Sequence, residues 1–209
     1  VDLPTLPYDR DTPLLDQVRR ENQAAVRVYP YDQIAVIIGR GGHQDLELRT
    51  DNIAADNIPL YKRPGGGCSV VLDPGNIIVS LALPLPGIGN IKSSFAAISR
   101  WLIDCLAECG VPGVTQQGVS DLVLDDRKIG GSCIYRTRGL LYYSTTLLWQ
   151  PDHALVDRYL QHPPREPGYR RGRSHAQFMG QLANGDSVEL WDTFPTRFKR
   201  ATDNRLLPL

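Results

Sequence analysis

The chain has no excess of charge: 23 Lys and Arg residues balance 23 Asp and Glu. A general nucleic-acid binder needs a basic surplus to displace counterions, so that class is set aside. Long hydrophobic runs are missing too. The longest, residues 77–85, contains Ser80 and Pro84; it suits a buried strand and falls short of a bilayer span, so no membrane partner is expected. Residues 1–10 show no signal-peptide pattern. Cysteine is scarce. Cys68, Cys105, Cys109 and Cys133 follow no disulfide-framework spacing, which points to a reducing, cytoplasmic setting. His43, His153, His162 and His175 have no metal-ligand spacing, so no metal held by side chains is expected. Internal repeats and low-complexity tracts are also lacking.

The 209 residues suffice for one domain with a substantial core. Asp11-Thr12-Pro13 reads as a helix start, with Leu14, Leu15, Val18 and Ala25 giving an apolar side. Residues 27–40 are strand-like and end at Gly39; residues 45–57 have weaker helical character. Residues 69–72 and 77–81 read as two strands around the turn Asp73-Pro74-Gly75-Asn76. A Pro- and Gly-rich loop is expected over 84–90. A helix follows over 93–109, where Phe95, Ile98, Leu102, Cys105, Leu106 and Cys109 recur every three or four residues and Gly110 and Pro112 stop it. Residues 121–124, a tight turn at Asp125-Asp126, and Lys128 onward form a hairpin; residues 140–149 give another strand and 152–160 a helix. This alternation predicts an α+β class, with a largely antiparallel or mixed β-sheet flanked by helices.

Two loops carry the chemistry. The first reads Lys62-Arg63-Pro64-Gly65-Gly66-Gly67-Cys68, between strands. Glycines there let backbone approach a ligand and aim N–H groups at one anion. The second, about sixty residues on, reads Asp126-Arg127-Lys128-Ile129-Gly130-Gly131-Ser132. A lysine delivered from this hairpin can hold a phosphate or carboxylate at the same spot. Alone, the glycine run is a tight turn and Lys128 an exposed hairpin lysine; together they describe a site that activates a carboxylic acid.

The stretch from Lys62 to Asn76, with Gly65-Gly66-Gly67-Cys68-Ser69-Val70-Val71-Leu72-Asp73-Pro74-Gly75-Asn76, resembles the first signature of the biotin/lipoate protein ligase family. Within that family the likeness is to lipoate–protein ligases and octanoyltransferases. Ser120-Asp121-Leu122, Arg127-Lys128-Ile129-Gly130-Gly131-Ser132-Cys133 and Tyr143-Ser144-Thr145-Thr146-Leu147-Leu148 resemble its second, in the right order and separation. Four substitutions depart from the pattern: Gly65 for Ser/Thr, Cys68 for Gly, Leu72 for His and Cys133 for Ala. Tyr143-Ser144-Thr145 also replaces His-His-Gly. The resemblance implies a catalytic domain over 1–209, with an extension from about 163 and without the accessory C-terminal domain of two-domain ligases. It implies a monomer.

By the same resemblance, Lys128 binds the carboxylate and α-phosphate of an acyl-adenylate. Arg63, Gly65, Gly66, Gly67 and Cys68 wrap the acyl chain and phosphate. Asn76, Ser120 and Asp121 lie near adenine or ribose. Val70, Cys133 and Thr146 line the acyl tunnel. The expected substrates are ATP, with Mg²⁺ on its phosphates, and lipoate or octanoate. The expected partner is a lipoyl-carrier domain, either glycine-cleavage H-protein-like or a dehydrogenase E2 domain. Two alternatives stay open: an acyltransferase working through a thioester on Cys68 or Cys133, whose thiols Lys128 and Arg63 would acidify, and a non-catalytic binder of lipoate or acyl-AMP. Arg165, Arg170, Arg171 and Arg173 with Tyr169 read as a surface segment near the site, facing solvent or an acidic carrier.

Overall fold

A computed structural model describes residues 2–85, 91–183 and 188–204. Most of the predicted Pro- and Gly-rich loop, residues 86–90, lies outside them. In chain order the elements are β1 (Leu6–Pro7), α1 (Thr12–Glu21), β2 (Ala25–Pro30), β3 (Ala35–Ile38), α2 (Gln44–Glu47), α3 (Thr50–Ala55), β4 (Leu60–Lys62), β5 (Val70–Leu72) and β6 (Asn76–Pro84). Then come α4 (Ile91–Glu108), β7 (Thr115–Gln117), β8 (Asp121–Leu124), β9 (Arg127–Thr137), β10 (Leu140–Leu148), α5 (His153–Tyr159), α6 (His175–Phe178) and α7 (Val188–Asn204).

The strands form two sheets. The larger, in order β2-β6-β10-β9-β8-β7, is antiparallel throughout. The smaller, β1-β4-β3-β5, is mixed. The turn at Asp73-Pro74-Gly75-Asn76 closes no hairpin: β5 belongs to the small sheet and β6 to the large one, so the turn passes the chain between them. Asp73 makes that crossing rigid. One carboxylate oxygen accepts from Gly75 N (2.7 Å) and Asn76 Nδ2 (3.1 Å), the other from Asp152 N (2.7 Å).

Each large-sheet face has its own partners. One face, with Val79, Leu81 and Tyr143, packs on Ile98, Leu102 and Leu106 of α4 and Phe194 and Phe198 of α7. Fully burying each such side chain contributes about 1.5–3 kcal/mol. Helix α4 ends where Gly110 takes φ +89° and Val111 N reaches back to Leu106 O at 2.9 Å. The expected weak helix over 45–57 is two short helices instead, α2 and α3.

On the opposite face α1 lays Leu14, Leu15 and Val18 on Ala82, Leu140 and Tyr142. Asp11 precedes that helix but makes no side-chain cap. Its buried carboxylate turns inward, accepting from Ser80 Oγ (2.6 Å), Tyr142 OH (2.6 Å) and Arg27 Nη1 (3.2 Å). Asp11→Ala strands these donors in a buried setting. Chemical denaturation should show a loss of about 3 kcal/mol; a change under about 0.5 kcal/mol, the usual size for surface substitutions, would show the cluster to be dispensable.

Candidate active site

A cavity of about 560 Å³ opens between the two sheets. Its floor is the α1-bearing face of the large sheet, where cross-strand register stacks side chains in rows. Ser144 lies opposite Cys133 and Ser80, Thr146 opposite Gly131 and Ile78, and Tyr142 opposite Tyr135, the last pair with ring centroids 4.8 Å apart. The small sheet contributes Ile37, Val71 and Leu72, and the segment after α5 contributes Pro163, Arg165 and Arg170.

Lys128 reaches this floor through a fault in the ladder. The two-residue turn Asp125-Asp126, with φ +49° and +57°, closes the β8–β9 hairpin. Strand register then slips, pairing Leu122 with Gly130 but Val123 with Lys128, so Ile129 is an extra residue. Strict alternation from Ile134, which faces the α4 core, would send Lys128 into that core. The bulge instead gives the core position to Ile129 and turns Lys128 into the cavity. There Lys128 Nζ meets Asp121 Oδ1 at 2.8 Å, and Tyr169 OH donates to Asp121 Oδ2 at 2.8 Å. A Cβ on Gly131 would stand 2.9 Å from Lys128 Nζ and Cε, so this glycine makes room for the lysine's own side chain.

The glycine loop is held from both ends. Arg63 donates to the carbonyls of Gly66 (3.0 Å), Cys68 (2.7 Å) and Ile37 (3.2 Å), bracing the loop against β3. Glu47 Oε2 accepts from Ser69 N (2.6 Å) and Ser69 Oγ (2.8 Å), tying the far end to α2. A Cβ on Gly39 would fall 2.1 Å from Gly67 O, so β3 must end in glycine for the loop to seat.

Residues 4–189 match the lipoyl protein ligase A/B catalytic domain. The chain belongs to that family. Among curated relatives, a probable lipoate-protein ligase A of Mycoplasma genitalium is 26% identical over 147 residues, which cover 70% of this chain and 43% of the relative. A lipoate-protein ligase of Bacillus subtilis is 28% identical over 126 residues, 59% of this chain and 37% of the relative. The chain thus spans about two-fifths of those relatives. Among solved structures, a putative lipoate protein ligase from T. acidophilum with bound lipoic acid superposes with a TM-score of 0.73 at 19% identity, covering 98% of this chain and 83% of the other. A lipoate-protein ligase A bound with ATP superposes with a TM-score of 0.68 at 20% identity, covering 91% and 77%. The mixed α+β architecture is that of this catalytic domain.

The cavity gathers most of the lipoyl-ligase site residues expected from sequence. Lys128, Asp121, Ser120 and Arg63 line it, as do Gly65, Gly67, Cys68, Val70, Cys133 and Thr146. Two are placed elsewhere. Gly66 is not in the lining, and a Cβ there would meet nothing within 4 Å; a side chain at 66 is tolerated by the protein itself. Asn76 is fully buried at the sheet-to-sheet turn, with Nδ2 on Asp73 and its carbonyl accepting from Tyr31 N at 2.9 Å. The carbonyl is that of the backbone; the side-chain Oδ1 is buried without a partner among the described residues. Arg63 lines the cavity with its guanidinium committed to loop carbonyls. Glu47, Asp11 and Tyr169 are cavity or support residues missed as site residues from sequence. Glu47 and Asp11 sit in ordinary helix-start contexts that give no signal, and Tyr169 was grouped with its basic neighbours. That basic segment is a surface feature only in part, because Arg170 is buried.

The acidified-thiol alternative finds no support at either loop cysteine. Burial raises the Cys133 thiol above its usual range, with Arg63 only opposing that rise. Burial also raises Cys68, Glu47 adds to it, and Lys128 and Arg63 oppose it. A raised thiol pKa means less thiolate at any given pH. Iodoacetamide labelling of Cys68 near pH 8 should therefore run slower than for an unperturbed thiol, read by peptide mass spectrometry. Faster labelling would restore the activated-thiol reading.

Two departures from the family pattern are physically one. A Cβ on Gly65 would lie 2.8 Å from Cys133 Sγ and 2.9 Å from its Cβ. The Cys133 sulfur and Cβ together occupy the space that a side chain at 65 would need. Gly65→Ser alone should cost about 1–3 kcal/mol by overpacking. Combined with Cys133→Ala, which removes the sulfur and keeps the Cβ contact, it should recover only part of that loss in a double-mutant denaturation cycle. Strictly additive effects would refute the coupling.

Proposed function

We propose that this chain carries the catalytic site of an ATP-dependent lipoate–protein ligase. The single observation behind this reading is the convergence of Lys128, turned inward by the β9 bulge, and the braced glycine loop on one cavity. A carboxylate oxygen of lipoate or octanoate attacks the α-phosphorus of ATP; the bond to the β-phosphate oxygen breaks and pyrophosphate leaves. The amine of a carrier lysine then attacks the acyl carbonyl, and AMP leaves. Lys128 neutralises charge on the phosphate and carboxylate oxygens in both steps, with Asp121 holding its ammonium in position. The row from Thr146 through Ser144 and Cys133 to Tyr142 offers the acyl chain a channel. Mg²⁺ enters as the ion carried by the ATP phosphates; among the described residues no three His, Cys, Asp or Glu side chains come together to hold one.

The carrier in this proposal is a lipoyl domain. A T. acidophilum relative described as a bi-partite lipoate protein ligase with its E2 lipoyl domain supports that choice, at a TM-score of 0.73 and 20% identity. The rival acyltransferase chemistry needs a cysteine thiolate, and burial works against one at both loop cysteines.

The test is intact-mass spectrometry of an unmodified lipoyl domain incubated with the protein, lipoate, Mg²⁺ and either ATP or none. Acylation confined to the ATP reaction is expected. Lys128→Ala should lower its rate by roughly 10²–10³-fold, the cost of one key electrostatic donor. Acylation from an acyl-carrier thioester without ATP would overturn the ligase reading in favour of the transferase.

A further inference from the structure

Arg170 is 4% exposed, yet its Nη2 has no hydrogen-bond partner among the described residues. The rest of the side chain is fixed. Its Nε donates to Arg173 O at 3.0 Å and lies 3.5 Å from Glu166 Oε2, and the guanidinium sits over the Phe178 ring, 4.8 Å from the centroid. A buried N–H without an acceptor costs free energy, and fixing the guanidinium plane aims that N–H in one direction. The side chain lines the same cavity as Lys128 and the glycine loop. Cys68, at the end of that loop, lies within electrostatic range of both Lys128 and Arg170.

Charge decides what such a group meets. A single carboxylate is matched by Lys128 alone. A nucleotide phosphate chain carries several negative charges. Lys128 is already shared with Asp121, and Arg63 is bonded to three carbonyls. A guanidinium N–H suits a phosphoryl oxygen, with which it forms a short, charge-assisted hydrogen bond. We propose that Arg170 is a phosphate-binding residue of this cavity, donating its unpaired Nη2–H to a phosphoryl oxygen of the nucleotide. The assignment rests on the ligase reading above.

The experiment is calorimetric titration of ATP, of inorganic pyrophosphate and of lipoate without nucleotide into the parent, Arg170→Met and Arg170→Lys. Thermal melting of each protein runs beside it. Methionine keeps the stem over Phe178 and removes the N–H groups; lysine keeps the charge should the methionine variant fail to fold. Weaker ATP and pyrophosphate binding by about tenfold or more in Arg170→Met is expected, with lipoate affinity unchanged. Arg170→Lys should regain part of the loss. Parental ATP affinity in the variants would overturn the assignment alone. So would equal weakening of all three ligands with a lowered Tm, which marks a structural role, or a loss confined to lipoate, which marks a carboxylate site. A parent that binds neither ATP nor pyrophosphate would overturn the ligase reading and this assignment together.

Discussion

Gly65 against Cys133 is the contact on which the cavity depends. It is where the loop leaving the small sheet touches the β9 strand of the large one, with space for hydrogen alone at position 65. From that contact the loop runs back through Gly67, packed on Gly39, and is clamped by Arg63 on one side and Glu47 on the other. A side chain at 65 or 39 would lift the loop off both sheets and open the gap in which a ligand is to be held. The Asp73 turn, whose carboxylate spans to Asp152, and the β2–β3 connection also join the two sheets. Loop and turn together fix the cavity's width.

Within that frame the polar groups are arranged by necessity as much as by chemistry. The bulge at Ile129 resolves a conflict: alternation would bury a lysine in the α4 core, and one extra residue exchanges it for an isoleucine. Asp121 then holds Lys128 in place, and Tyr169 holds Asp121, so the ammonium is fixed at the cavity. The Asp11 cluster lies under α1 as a second buried polar group, satisfied by Ser80, Tyr142 and Arg27. Burial raises the thiols of Cys68 and Cys133, and both residues line the cavity wall.

Much of this was legible in the sequence, and the rest was illegible for physical reasons. Periodicity placed α4 and its buried side, because Ile98, Leu102 and Leu106 repeat at helical spacing. The Asp125-Asp126 hairpin followed from turn chemistry. Motif resemblance brought Lys128, Asp121 and the glycine loop together. Position in a motif did not reveal which members face the cavity. Gly66 and Asn76 keep the pattern but point elsewhere, and Arg63 braces backbone. The parallel pairing of β1, β3 and β4 joins segments far apart in the chain and leaves no local signature. The thioester alternative stayed open in the sequence because neighbouring cations are visible there while burial is not. Arg170 looked like one of several surface arginines for the same reason.

In the proposed function, one cavity holds an acyl chain, a carboxyl group and a nucleotide phosphate at once, with Lys128 at their junction. A crystal structure of the protein with a non-hydrolysable acyl-sulfamoyl-adenosine tests it most directly. The account places the sulfamoyl linkage within hydrogen-bond distance of Lys128 Nζ and the acyl chain along the row formed by Thr146, Ser144 and Tyr142. A ligand bound outside this cavity, or inside it with Lys128 engaged by Asp121 alone, would contradict the account.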